Sequence, residues 1–150
     1  MNKMIKQFEE VIPLIERLKN DPESLLTDPI AEDKWSIREI VGHLYYWDRY
    51  NLEEMVPEMK DGISLPEFPD HDLYNAEGLR LLEGKSAEAV IDLFIKIRNA
   101  LVEKMSEVDE DLSFTIGSGK RTFSPESFIR MFVEHDRRHL KQIEEKVGSL

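Results

Sequence analysis

SPESFIRMFVEHDRRHLKQIEEKVG, residues 124 to 148, carries its own start, its own stop and an apolar stripe between them. Ser124 is a good N-cap, and Pro125 suits the first helical position, where the N–H it lacks would have no partner anyway. Gly148 ends the helix after about Val147. Phe128, Phe132 and Ile143 recur at helical spacing, and the positions that complete their stripe are held by His135 and His139. Residues four apart differ by only ~40° about the axis and stand ~6 Å apart, so the two imidazoles share one face. The pattern predicts a long amphipathic helix, with Glu134, Asp136, Arg137 and Arg138 off the stripe, toward solvent or the rim.

Three more such helices lie upstream. Ser36-Ile37-Arg38-Glu39 has the form of a capping box, in which serine and glutamate each satisfy an amide of the other. From there the pattern stays helical to about Met59, with Ile40, His43, Trp47 and Tyr50 on one side and Ile37, Val41, Leu44 and Leu52 adjoining it. Met4, Phe8, Val11, Ile15 and Leu18 form a single stripe over about Asn2 to Lys19, with Pro13 as a kink point. Ser86 caps the remaining long helix, where Val90, Phe94, Ile97, Leu101 and Met105 form the stripe and the end falls near Val108.

The connections are equally legible. NDPESLLTDPIAEDKW contains two Asp-Pro pairs, and the residue before a proline is pushed out of helical geometry. DGISLPEFPDHD, with Gly62, Pro66 and Pro69, is a long surface crossing, interrupted by a short helix near Asp72 to Glu83. In LSFTIGSGKRTFS, Leu112, Phe114 and Ile116 alternate before a Gly-Ser-Gly turn, which suggests a short hairpin or an extended loop before the last helix. The expected fold is all-α, a four-helix bundle in a single domain of residues 1–150 with a long crossover between helices 2 and 3.

Composition excludes several functions. With 41% hydrophobic and 34% charged residues, the chain has no apolar run near the ~20 residues that cross a bilayer, so no membrane role is expected. A net charge of −11 repels a phosphate backbone and argues against nucleic acid as a partner. The absence of cysteine removes disulfides, thiolate ligands and a cysteine nucleophile, leaving histidine and carboxylate chemistry. Acids among the apolar residues of MNKMIKQFEEVIPLIERLKN do not suit a secretion signal, so a cytoplasmic location is expected.

A lone H-x-x-x-H admits surface histidines and hydrogen-bonded core histidines as well as a metal site. Here the pair lies on the core stripe, where a buried ring needs partners, and His43 lies on the core stripe of another helix. WSIREIVGHLYYWD, residues 35 to 48, and EHDRRHLKQI, residues 134 to 143, resemble the two signature helices of the DinB-like, or YfiT-like, metalloenzyme superfamily. The resemblance spans nearly the whole chain in length and helix order. It implies a four-helix bundle in which His43, His135 and His139 hold a divalent metal ion. It also implies a small-molecule substrate, since members include S-transferases and isomerases that use low-molecular-weight thiols such as bacillithiol or mycothiol, and metal-dependent hydrolases. Many members are homodimers.

Three neutral imidazoles leave a divalent ion one open position for water or a thiol, so hydrolysis and thiol transfer need the same ligands. Zinc suits the set best, and imidazole also accepts nickel, iron and manganese. A bundle that holds the ion or a ligand without catalysis is the alternative. Glu39, one turn before His43, is the one candidate base or ring-nitrogen partner, although its capping role already explains it. His71, between Asp70 and Asp72, is either an exposed loop histidine or a lid residue or fourth ligand. Trp47 and Tyr50 share the face of His43 as candidate pocket walls or core residues. Trp35 is expected at the helix entrance, and Phe68 and Tyr74, which flank the crossing, are candidates for closing the pocket.

Overall fold

The computed structural model covers residues 1–150. Its helices are α1 (Asn2–Glu9), α2 (Val11–Glu16), α3 (Glu23–Thr27), α4 (Ile37–Tyr50), α5 (His71–Leu81), α6 (Ala87–Glu107) and α7 (Pro125–Val147), with short strands β1 (Ser64–Leu65) and β2 (Thr115–Ile116). Four rods make the bundle: α1 with α2, then α4, α6 and α7. No helix is long and apolar enough to cross a membrane.

The first rod is the one that departs from the expected helix. Pro13 has no N–H to give to the carbonyl four residues back, and the helix breaks at Glu10 before resuming as α2 and tightening into a 3₁₀ turn over Arg17–Asn20. The stripe survives the break, with Phe8, Val11, Ile15 and Leu18 all buried. On α4 the capping box is present: Glu39 N donates to Ser36 Oγ at 3.2 Å and Ser36 N to Glu39 Oε1 at 3.0 Å. Beyond Tyr50 the helical path widens into a π turn over Asn51–Met55 and closes with Val56–Glu58, which accounts for the expected extent to about Met59. The Ser124 cap holds α7 at one end, and Gly148, at φ 98°, ends it in a conformation that side chains resist.

The crossover carries α5 onto α4. Its extended part is stitched to the segment before α7, because β1 and β2 pair in parallel with Ser64 opposite Thr115 and Leu65 opposite Ile116. Phe114 and Phe123 exchange hydrogen bonds of 3.0 and 2.7 Å across the Gly-Ser-Gly turn, so of the hairpin or extended loop expected there the chain forms a loop closed by a single antiparallel bridge. The parallel pairing joins segments some fifty residues apart and had no signature in either.

Two apolar clusters fill the bundle. One gathers Phe8, Met55, Leu101, Met105, Phe114 and Phe128, and the other gathers Ile15, Leu18, Ile40, Leu44, Phe94 and Ile143. Between them lies Arg98, 1% exposed, at the position on α6 where the sequence pattern placed Ile97, which is only half-buried. All five guanidinium N–H groups are used: Nε and Nη2 donate to Asp48 at 2.6 and 3.0 Å, Nη1 and Nη2 to Asp136 at 2.8 and 3.2 Å, and Nη1 to the Phe8 carbonyl at 3.0 Å. The ring of Phe8 lies 3.6 Å from the guanidinium carbon. Asp136, expected at the solvent side or rim, is therefore buried at 2% exposure. A carboxylate there is tolerable only because a fully hydrogen-bonded cation meets it. Burial works against the charge of Arg98, yet Asp136 and Asp48 hold it above its ordinary range, while burial pushes Asp48 up to about 6 against the pull of Arg98.

Candidate metal centre

α4 brings His43 toward α7, and the four-residue repeat of α7 brings His135 and His139 toward α4. His135 Nε2 lies 2.9 Å from His43 Nε2 and 3.2 Å from His139 Nε2. Candidate ligand atoms of the three side chains all lie within 4.8 Å of one another. Two nitrogens bound tetrahedrally to zinc at ~2.1 Å would stand ~3.4 Å apart, so only a small outward movement would admit an ion.

The rings are held from behind. His43 Nδ1 lies 2.9 Å from Asn75 Oδ1, and His139 Nδ1 lies 2.9 Å from Gln142 Oε1. A ring that donates its Nδ1–H to an amide oxygen leaves Nε2 with a bare lone pair. With both rings in that form, two lone pairs face His135 Nε2, which has at most one proton to give. A cation among the three nitrogens relieves that conflict, so the donor set fits a divalent metal ion. Burial lowers His43 to about 4, assisted by charge on His139, and lowers His135 to about 3, assisted by charge on His139 and His43. Burial also lowers His139. All three rings are thereby kept in the neutral form that binds metals.

The three histidines open onto a cavity of about 610 Å³, a volume suited to a small molecule. Trp35, Trp47, Phe68 and Phe132 supply its apolar wall, and His71, Asp72 and Arg138 supply charged or titratable groups. Trp35 does more than close the helix entrance, since its ring packs on His43 with centroids 5.0 Å apart. Trp47 and Phe68 line the cavity as expected. Tyr50 does not: its hydroxyl donates to the Glu67 carbonyl at 3.2 Å and its ring backs Trp47 and Phe68 from outside the cavity. Tyr74 likewise sits behind Trp47, stacked on Tyr46.

Glu39 is spent on the capping box and lines a separate groove, so it serves neither as base nor as partner of His43. His71 belongs to the first turn of α5 rather than to a loop, with its ring edge-on to Trp47 at 5.2 Å. The partners of the histidine rings, Asn75 and Gln142, were not singled out from the sequence. Gln142 stands three residues after His139, a spacing that brings helical side chains together. Asn75 has no comparable signal, because its approach to His43 depends on where the crossover lays α5.

Comparison with known proteins agrees with this architecture. The family model of the DinB superfamily matches residues 7–143. Among solved structures, YfiT from Bacillus subtilis, described as "a probable metal-dependent hydrolase with an unusual four-helix bundle topology", aligns with a TM-score of 0.63 at 16% identity, covering 99% of this chain and 88% of that one. Such identity establishes a shared four-helix-bundle fold. No curated protein sequence matches the chain.

Proposed function

We propose, from the premise that the chain belongs to the DinB superfamily, that it is a metal-dependent enzyme acting on a small molecule, with residues 1–150 as one domain and His43, His135 and His139 as ligands of one divalent ion. The observation that carries this reading is the meeting of three neutral imidazoles at the wall of an aromatic-lined cavity.

When bound, the ion supplies a Lewis acid whose open position lowers the pKa of a water or thiol. The chain supplies the rest. Trp35, Trp47, Phe68 and Phe132 hold the apolar part of the substrate and exclude water, while Arg138, the one arginine of the wall, meets an anionic group. His71 and Asp72, on the exposed first turn of α5, are the groups we assign to passing protons between cavity and solvent.

Zinc suits three imidazoles, and nickel, iron and manganese are also compatible. The description of YfiT favours hydrolysis as the first reaction to test, with transfer of a low-molecular-weight thiol as the alternative on the same ligands. The experiment is metal analysis of protein purified without an affinity tag, together with turnover of ester, amide and thiol-acceptor probes. One bound divalent ion per chain, with conversion abolished in His135→Ala, is the expected result. Wild-type protein that takes up no ion from saturating solution would overturn the metal assignment. A bound ion without conversion of any probe would instead indicate a non-catalytic binding module.

A further inference from the structure

We propose that Asn75, oriented by the indole of Trp47, is a positioning residue that fixes His43 in the Nδ1–H tautomer and turns its Nε2 toward the two histidines of α7. The consequence for metal affinity rests on the reading above, whereas the tautomer itself does not.

Hydrogen-bond polarity fixes the tautomer. An indole N–H can only donate. Trp47 Nε1 lies 2.7 Å from the terminal amide atom of Asn75 that also lies 2.9 Å from His43 Nδ1. Against a donor-only neighbour that atom must be the oxygen, because the amide nitrogen would set N–H against N–H. The oxygen can only accept, so His43 Nδ1 must carry the proton and Nε2 must be bare. Reversing the amide would have its NH₂ donate to Nδ1, shift the imidazole proton to Nε2 and aim that proton at His135, closing the coordination position. Trp47 therefore acts on His43 through Asn75, although the two α4 residues stand one helical turn apart and never need to touch.

The geometry also explains why a crossover carries a helix here. Asn75 lies on α5, and three contacts set the register of α5 on α4. The Tyr74 hydroxyl donates to the Tyr46 carbonyl at 3.2 Å, the two tyrosine rings stack with centroids 4.4 Å apart, and Gly78 lies flush against the Tyr46 ring. His43 is thus held through Nδ1 by the crossover and presents Nε2 to the bundle. The orientation of its ring depends on both.

The test reads the tautomer directly. In metal-free protein at neutral pH, long-range ¹H–¹⁵N correlation of the imidazole rings distinguishes Nδ1–H from Nε2–H, and the chain has only four histidines to assign. Wild type and Asn75→Asp, which keeps an acceptor oxygen, should show His43 as Nδ1–H. Asn75→Leu should lose that preference, and Trp47→Phe, which keeps an aromatic ring, should give a mixture as the amide becomes free to flip. Chelator competition should show Asn75→Leu binding zinc about 10–100-fold more weakly, with Asn75→Asp close to wild type. Trp47→Phe serves should Asn75→Leu fail to fold. A wild-type His43 in the Nε2–H form, an unchanged tautomer in Asn75→Leu, or, where wild type binds zinc, an unchanged zinc affinity in Asn75→Leu would overturn the proposal. A wild type that takes up no divalent ion from saturating solution but whose tautomer responds to Asn75→Leu would uphold it and overturn the metal assignment instead.

Discussion

Each of the three histidines is neutral in the folded chain at a pH where a free histidine begins to charge. Their ordinary pKa is near 6.5, and burial lowers His43 to about 4, His135 to about 3 and His139 in the same direction. As pH falls through 6.5 the unfolded chain takes up protons that the folded chain refuses, so stability is lost in that direction and is fully present above it. The loss is at most about 1.4 kcal/mol per pH unit for each histidine. Asp48 acts with the opposite sign, because its raised pKa of about 6 lets the folded state gain a proton first below that point. Metal-free protein should therefore lose stability progressively from about pH 7 to about pH 5, more steeply below pH 6 as the unfolded histidines become fully charged, as urea midpoints would show. A flat profile there would contradict neutral, buried rings. Replacing all three histidines by glutamine should flatten it.

Elements hold these residues through two devices, a buried ion cluster and a close helix approach. Arg98 ties α6 to Asp48 of α4, Asp136 of α7 and the Phe8 carbonyl of α1, so one side chain touches all four rods. Arg98→Leu leaves two carboxylates buried without a cation and should cost about 3–5 kcal/mol. The triple change Asp48→Leu, Arg98→Leu, Asp136→Leu removes the charges together and should recover most of that loss; a triple variant less stable than the single one would show that packing, not charge, dominates. The second device is Gly78, where an added Cβ would lie 2.5 Å from the Tyr46 ring. Gly78→Ala ordinarily strengthens an exposed helix by about 1 kcal/mol. Here it should push α5 off α4, draw Asn75 from His43 and weaken zinc binding, with no gain in melting temperature. Zinc affinity equal to wild type would show that α5 can shift without disturbing the ring.

Over the whole molecule, the proposed metal centre would join two rods that otherwise meet little, since α4 packs chiefly on α6. An ion bound only by the folded state at 100 times its dissociation constant contributes about 2.7 kcal/mol. For a chain of 150 residues that corresponds to roughly 5–10 °C, so chelation should lower the melting temperature by that much, and His135→Ala should melt at the same temperature with or without chelator. An equal chelator effect on both proteins would place the ion elsewhere. A bound ion would also add positive charge in a cavity whose proposed ligands are neutral, within a chain of net charge −11, and with Arg138 would favour the anionic group proposed for the substrate.

The sequence by itself determined what local periodicity and capping control. Ser36 with Glu39, Ser86, and Ser124 with Pro125 set three helix starts, and the helical period set His43 on the buried face of α4 and His135 with His139 on one face of α7. Those signals are local, because a helix satisfies its own backbone and its faces follow from 3.6 residues per turn. Tertiary structure decided everything that depends on a partner distant in the chain. Asp136 has the local appearance of a surface acid, and only the guanidinium of Arg98, brought from α6, makes its burial possible. The pairing of β1 with β2 and the placement of Asn75 against His43 arise from how the crossover lies on the bundle. Nothing within either contacting segment encodes the other, so the three histidines of the proposed site were legible in the sequence while the groups that orient and surround them required the fold.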